Sequence, residues 1–158
     1  MDFKEKTCCF TGHRHISAEK YFSTKGNLRK EIIGLIQKGY RYFAAGGAIG
    51  FDTLAADTVI SLKSQYPEIR LVLVLPCKNQ DKFWNRQSKE EYRRIISLAD
   101  KVTVLAEEYY SGCMQSRNRA LIDGSSVCIS YYAGGPGGTA YTVNYAKAKD
   151  VKVINIYE

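Results

Sequence analysis

Two stretches of the chain place clusters of glycine between an apolar run and a segment of helical periodicity: "AAGGAIGFDTLAA" at 44–56 and "YYAGGPGGTAYTV" at 131–143. Glycine at a strand-to-helix turn lets a ligand approach the backbone, and the first amides of the following helix are unpaired donors at its positive end. A phosphate answers both features. Gly46, Gly47 and Gly50 in the first stretch, and Gly135, Gly137, Gly138 and Thr139 in the second, are therefore candidate phosphate-binding residues. Turn geometry alone explains either cluster taken singly; two clusters on one edge of a sheet favour a ligand. Neither is a Walker A loop, because no Gly-Lys-Ser/Thr follows, and neither matches a G-x-G-x-x-G turn with an acid closing the next strand. A nucleotide triphosphatase or an ordinary NAD dehydrogenase is not indicated.

Other polar residues are placed to complete such a site. "TGHRHIS" puts Gly12, His13 and Arg14 directly after an apolar run; Arg offers a forked donor to phosphate, and His can donate or titrate near neutrality. His15 is the expected bystander. Asp52 opens a helix, where it either complements the helix dipole or accepts from a ribose hydroxyl or a base. In "GCMQSRNRALID" Met114, Arg117, Asn118 and Leu121 share one helical face that should pack inward, with Arg119 pointing outward. An arginine inside an apolar stripe needs a partner, because an unpaired buried charge is costly. That partner is either a carboxylate of the protein or a ligand phosphate or ribose. Phe83 and Trp84 lie in the longest loop, as an apolar plug or as a lid over a base. No catalytic residue is assigned, and no metal site is expected.

The elements that must position these residues alternate along the chain. Apolar runs at 7–12, 40–46, 69–76, 101–106, 126–132 and 151–157 read as strands. Between them, helical stripes run over 24–38, 51–62, 92–99, 114–123 and 138–149. This alternation predicts one α/β domain over 1–158, Rossmann-like and doubly wound, with a mainly parallel sheet of about six strands covered on both faces. Ligands in such sheets sit outside the carboxyl ends of the strands, where the strand order reverses. Gly12, His13 and Arg14 follow strand one, Gly46 to Asp52 follow strand two, and Gly135 to Thr139 follow strand five, all on that edge.

Composition narrows the partners. A length of 158 residues suffices for a core without disulfides or metal. Lys and Arg number 23 against 16 acids, a net charge of +7 that favours anions. The densest basic run, Lys78 to Arg94, is diluted by acids and reads as a solvated helix face. The five cysteines match no zinc or redox spacing and are expected to be reduced, which with the lack of a leader or membrane span points to the cytoplasm. Cys113, read as part of a polar loop, is the one candidate for reactivity.

Taken in order, "TGHR", "GGAIGFDTLAA", "FW" with a tyrosine eight residues later, "ADKVTVL", "MQSRNRALID" and "GGPGGTAY" resemble the YpsA-like branch of the SLOG superfamily. That superfamily also holds the DNA-processing protein DprA and the Lonely Guy phosphoribohydrolases. The resemblance implies a Rossmann-like domain for a nucleotide or nucleotide-derived ligand. It places the ligand loops on Gly46, Gly47, Gly50 and on Gly135, Gly137, Gly138, Thr139, and the Arg-Asn pair on Arg117 and Asn118. Lonely Guy enzymes carry a catalytic glutamate three residues after the threonine of the second glycine motif; this chain has Thr142 there.

The leading expectation is a domain that binds or senses a nucleotide, such as an ADP-ribose-like or NAD-like ligand, in regulation or signalling, with no firmly implied cofactor. One alternative is a hydrolase of nucleoside monophosphates using His13 or Asp52 as acid-base group. A second is single-stranded DNA binding of the DprA kind, which the net charge supports. A homodimer is expected, and no membrane partner.

Overall fold

The first strand, β1 (Thr7–Gly12), shows how the fold is layered, because its alternate residues enter two different cores. Cys8 and Phe10 join the larger one, while Cys9 joins the smaller one on the opposite face. The computed structural model describes residues 3–158. After a short 3-10 turn at Phe3–Lys6 and β1, the chain runs through α1 (Ala18–Gln37), β2 (Tyr42–Ala45), α2 (Phe51–Leu62), β3 (Arg70–Leu75) and α3 (Arg86–Leu98). It continues through β4 (Lys101–Val104), α4 (Cys113–Asp123), β5 (Val127–Tyr131), α5 (Gly138–Ala148) and β6 (Lys152–Asn155).

The six strands form one sheet in the order β4-β3-β2-β1-β5-β6, and every pairing is parallel. The chain winds outward from β1 to β4, then returns to the other side of β1 for β5 and β6. The order therefore reverses between β1 and β5, and the crevice outside their carboxyl ends is the expected ligand position. α1, α2 and α3 pack side by side on one face; α4 and α5 pair on the other. This is the Rossmann-like α/β arrangement that the alternation of elements implied.

Beneath the crevice the core is aromatic. Phe51, the first residue of α2, is completely buried, stacks on Tyr131 at 5.6 Å and meets Phe10 edge-on at 6.4 Å. Burying such a ring contributes roughly 1.5–3 kcal/mol and pins the start of α2 between β1 and β5.

Element boundaries differ from the sequence reading mainly at helix starts. α1 begins at Ala18 rather than Thr24, capped by Ser17, whose hydroxyl accepts from the Lys20 amide at 3.3 Å. α3 begins at Arg86 rather than near Tyr92, capped by Asn85, whose Oδ1 accepts from the Ser88 amide at 2.8 Å. Both first turns are polar or exposed, so periodicity starts late there and the capping residues were the available signal. β1 matches its expected range, and the other strands are shorter at their ends, as in β2, which occupies 42–45 of the expected 40–46. Among the described residues no helix is long and apolar enough to cross a membrane.

Candidate functional site

The first glycine loop, between β2 and α2, is filled by the protein itself. A Cβ on Gly46 would lie 2.5 Å from Nη1 of Arg117, and the Gly46 carbonyl accepts from that same nitrogen. Gly50 holds φ at +84°, and a Cβ there would lie 2.2 Å from the carbonyl oxygen of Arg14. The Phe51 amide, the first of α2, donates to the His13 carbonyl at 3.1 Å. Asp52 in the same turn accepts from the Ala48 amide at 3.2 Å through Oδ2. The Asp52 and Thr53 amides of this turn have no acceptor among the described residues, but the buried carboxylate beside them disfavours an anion at this helix end.

Arg117, only 5% exposed, is the strut behind that loop. Besides the Gly46 carbonyl, its Nη1 donates to Gln80 Oε1 at 3.3 Å, and its Nε donates to Asn118 Oδ1 at 2.8 Å. The partner that an arginine in an apolar stripe requires is thus a carbonyl and two side-chain amides, with Asp52 as countercharge nearby. Burial pulls the guanidinium pKa below its ordinary value, while Asp52 opposes the shift. Burial likewise pushes the Asp52 carboxyl up, against the pull of Arg117, the Ala48 amide and Arg14.

The second glycine loop, between β5 and α5, is different in kind. Gly134 to Gly138 are all exposed, and nothing lies within 4 Å of a Cβ built on Gly134, Gly135, Gly137 or Gly138. Gly137 caps α5 with φ at +133° and no side-chain bond. Among the described residues the amides of Gly138, Thr139 and Ala140 have no hydrogen-bond acceptor, so α5 presents its positive end open. The loop is tethered at its base, where the Ala133 amide donates to His13 Nε2 at 2.8 Å. An accepting Nε2 places the proton of the neutral ring on Nδ1.

A cavity of about 340 Å³ opens at this point, lined by Gly12, His13, Arg14, Asp52, Arg117, Asn118, Gly138 and Thr139 together with Thr11, Ala48 and Met114. The sequence-predicted residues after β1, at the start of α2, on α4 and at the start of α5 are thereby brought together. Gly46, Gly47, Gly50, Gly135 and Gly137 shape the loops but do not line the cavity. Arg14 makes no hydrogen bond or ion pair among the described residues, and Asn118 keeps its Nδ2 as a donor because Oδ1 is engaged. Donors and cations dominate a pocket that holds one buried carboxylate.

A second cavity of about 790 Å³ adjoins the first, sharing Arg14 and Met114 with it. Trp84 and Phe83 divide the roles expected of the pair: Trp84 is half-buried, edge-on to Tyr92 at 5.0 Å, while Phe83 is 90% exposed. Tyr109, after β4, also lines this cavity and was not singled out, although it follows a strand on the same edge. Thr11 was missed because it ends a strand whose other residues are core. Cys113 is corrected: it is the first residue of α4 rather than part of a loop, and it is buried, as are the other four free cysteines. Thr142 is buried on α5 and donates to the Gly138 carbonyl at 2.9 Å, a bond within its own helix. Arg119 points outward and donates to the Tyr141 hydroxyl at 2.8 Å.

Residues 8–157 match the YpsA family, described as the YspA SLOG family. The chain belongs to this family. It is 35% identical over 136 residues to the uncharacterised SPbeta prophage-derived protein YoqJ of Bacillus subtilis, covering 78% of this chain and 80% of that protein. A UPF0398 protein of Halalkalibacterium halodurans is 30% identical over 128 residues, covering 79% of this chain and 68% of that one. Among solved structures, DNA processing protein A (DprA) from Streptococcus pneumoniae superposes with a TM-score of 0.67 at 18% identity, covering 96% of this chain and 50% of that one. DNA processing protein A from Helicobacter pylori, whose structure was described for its single-stranded DNA binding mode, superposes with a TM-score of 0.64 at 18% identity. It is covered over 64% of its length, with 95% of this chain aligned. At that identity the likeness establishes a shared fold.

Proposed function

We propose that the protein binds a nucleotide or nucleotide-derived ligand, with a phosphate held at the open start of α5. The observation that carries this reading is the junction of three unpartnered amides, at Gly138, Thr139 and Ala140, with a cavity that also receives Arg14, Arg117 and Asn118. The cavity lies at the switch point between β1 and β5, where α/β sheets bind ligands. Arg14 neutralises the phosphate, Asn118 donates to it or to the ribose, and Arg117 holds the floor. Binding of this kind suits a sensing role in regulation.

Calorimetric titration with ADP-ribose, NAD, AMP and cyclic nucleotides tests the reading, with thermal unfolding alongside. A ligand at a hundred times its dissociation constant adds about 2.7 kcal/mol of stability. Arg14→Ala should abolish that gain at little cost to the unliganded protein, because Arg14 is exposed, makes no hydrogen bond or ion pair among the described residues, and acts on Asp52 more weakly than Arg117 does. Failure of the whole panel to bind would overturn the proposal. If binding is followed by release of free base, and Asp52→Asn stops the release, the site is that of a hydrolase. Single-stranded DNA is the remaining reading, supported by the +7 charge and the shared fold. It requires affinity that is strongest at low salt.

A further inference from the structure

We infer that the larger cavity beside the phosphate pocket is a chamber for a heterocyclic base, so that the ligand is a nucleotide long enough to cross from one cavity to the other. Only the crossing rests on the phosphate reading; the chamber stands on its own lining. Two rings from separate loops line it, Phe83 at 90% and Tyr109 at 62% exposure, together with the half-buried Trp84 next to Phe83. An isolated exposed aromatic needs no explanation, but two around one cavity supply π-faces on which any base can stack.

The polar groups among them suit a ring with hydrogen-bonding edges better than an aliphatic chain. Asn79 accepts from the Tyr109 amide at 3.2 Å through Oδ1, which leaves its Nδ2 as a free donor. Asn85 is in the same position, its Oδ1 engaged with the Ser88 amide at 2.8 Å. Glu108 adds an acceptor to the same wall. The volume of about 790 Å³ is in the range of small-molecule sites and exceeds what one base fills. Arg14 stands on the boundary of both cavities with its guanidinium uncommitted, where the phosphates linking the two ends of a long nucleotide would pass.

Trp84 is the only tryptophan in the chain, so its fluorescence reports the chamber directly. The experiment titrates the full chain with adenosine, guanosine, cytidine and uridine, with pyrophosphate, and with ADP-ribose, following Trp84 emission and thermal unfolding together. At least one nucleoside and ADP-ribose should change the emission, whereas pyrophosphate should raise the unfolding temperature without changing it. Phe83→Ala and Tyr109→Ala should each weaken base-bearing ligands about tenfold, the ordinary worth of one base–aromatic stack, and leave pyrophosphate unaffected. Both side chains are exposed, so neither variant threatens the fold. Nucleotides that bind with Trp84 unmoved and Phe83→Ala neutral would overturn the chamber and keep the phosphate site. A nucleoside response with pyrophosphate silent and Arg14→Ala neutral would keep the chamber and remove the phosphate site. No response to any ligand would overturn both.

Discussion

The two glycine loops look alike in sequence and do opposite things. In the loop after β2 the space beside Gly46 holds the Arg117 guanidinium, and the space beside Gly50 holds the Arg14 backbone. In the loop after β5 the space beside Gly134, Gly135, Gly137 and Gly138 is open. One loop uses glycine to let the protein pack against itself; the other keeps a helix end uncovered. The first is therefore a structural brace and the second the free wall of a pocket. A pair of glycine clusters on one sheet edge does not imply two phosphate cradles.

The sharpest way to break this contrast is a methyl group in the braced loop. Gly50→Ala should cost roughly 4 kcal/mol, from positive φ and from a clash with backbone that has nowhere to move. Chemical denaturation would show it, and a loss under about 1 kcal/mol would mean the loop yields and the contrast is overstated.

Next in size is Arg117→Met, which leaves Gln80 Oε1 without its donor, leaves the Gly46 carbonyl with only the 3.4 Å bond from Gln80 Nε2, and takes from Asp52 its strongest countercharge. About 3 kcal/mol should be lost at pH 7. The sign of the pH dependence follows from Asp52, whose carboxyl burial already holds above its ordinary range with Arg117 as the main opposing influence. Removing Arg117 raises it further. A folded carboxyl with a raised pKa binds a proton that the unfolded chain has released, so stability falls as pH rises through that interval. The variant should accordingly regain stability relative to wild type as pH is lowered from 7 toward about 4. A pH-independent difference between the two proteins would show that Asp52 is not the group left stranded.

The smallest effect belongs to the open loop. Gly138→Ala has ordinary φ and no neighbour within 4 Å, so it should stabilise the protein by about 0.5 kcal/mol through the unfolded chain. It also adds a methyl to the cavity wall, and nucleotide affinity should fall. A destabilised protein with unchanged affinity would reverse the assignment of the two loops.

Much of this was legible from residue order. The six strands and five helices follow from the alternation of apolar runs and helical stripes, and Arg117 stood out as a charge inside an apolar face. Eight of the candidate positions, from Gly12 to Thr139, do line one cavity, because they follow strands that end on one edge. The starts of α1 and α3 were misplaced because capping by Ser17 and Asn85 is a single-residue signal with no periodicity behind it. Tyr109 went unnoticed because exposed loop aromatics carry no local pattern.

What residue order determined by itself is the winding of the sheet and the edge on which the loops gather, since both depend on patterns that repeat within a few residues. Which glycine turn would be braced and which left open was decided only in three dimensions. Arg117 reaches Gly46 across 71 residues and Gln80 across 37. Phe51, at the start of α2, fills the space beside Gly12. A glycine carries no side chain to announce its neighbour, so its purpose is set by whichever distant group the fold brings against it.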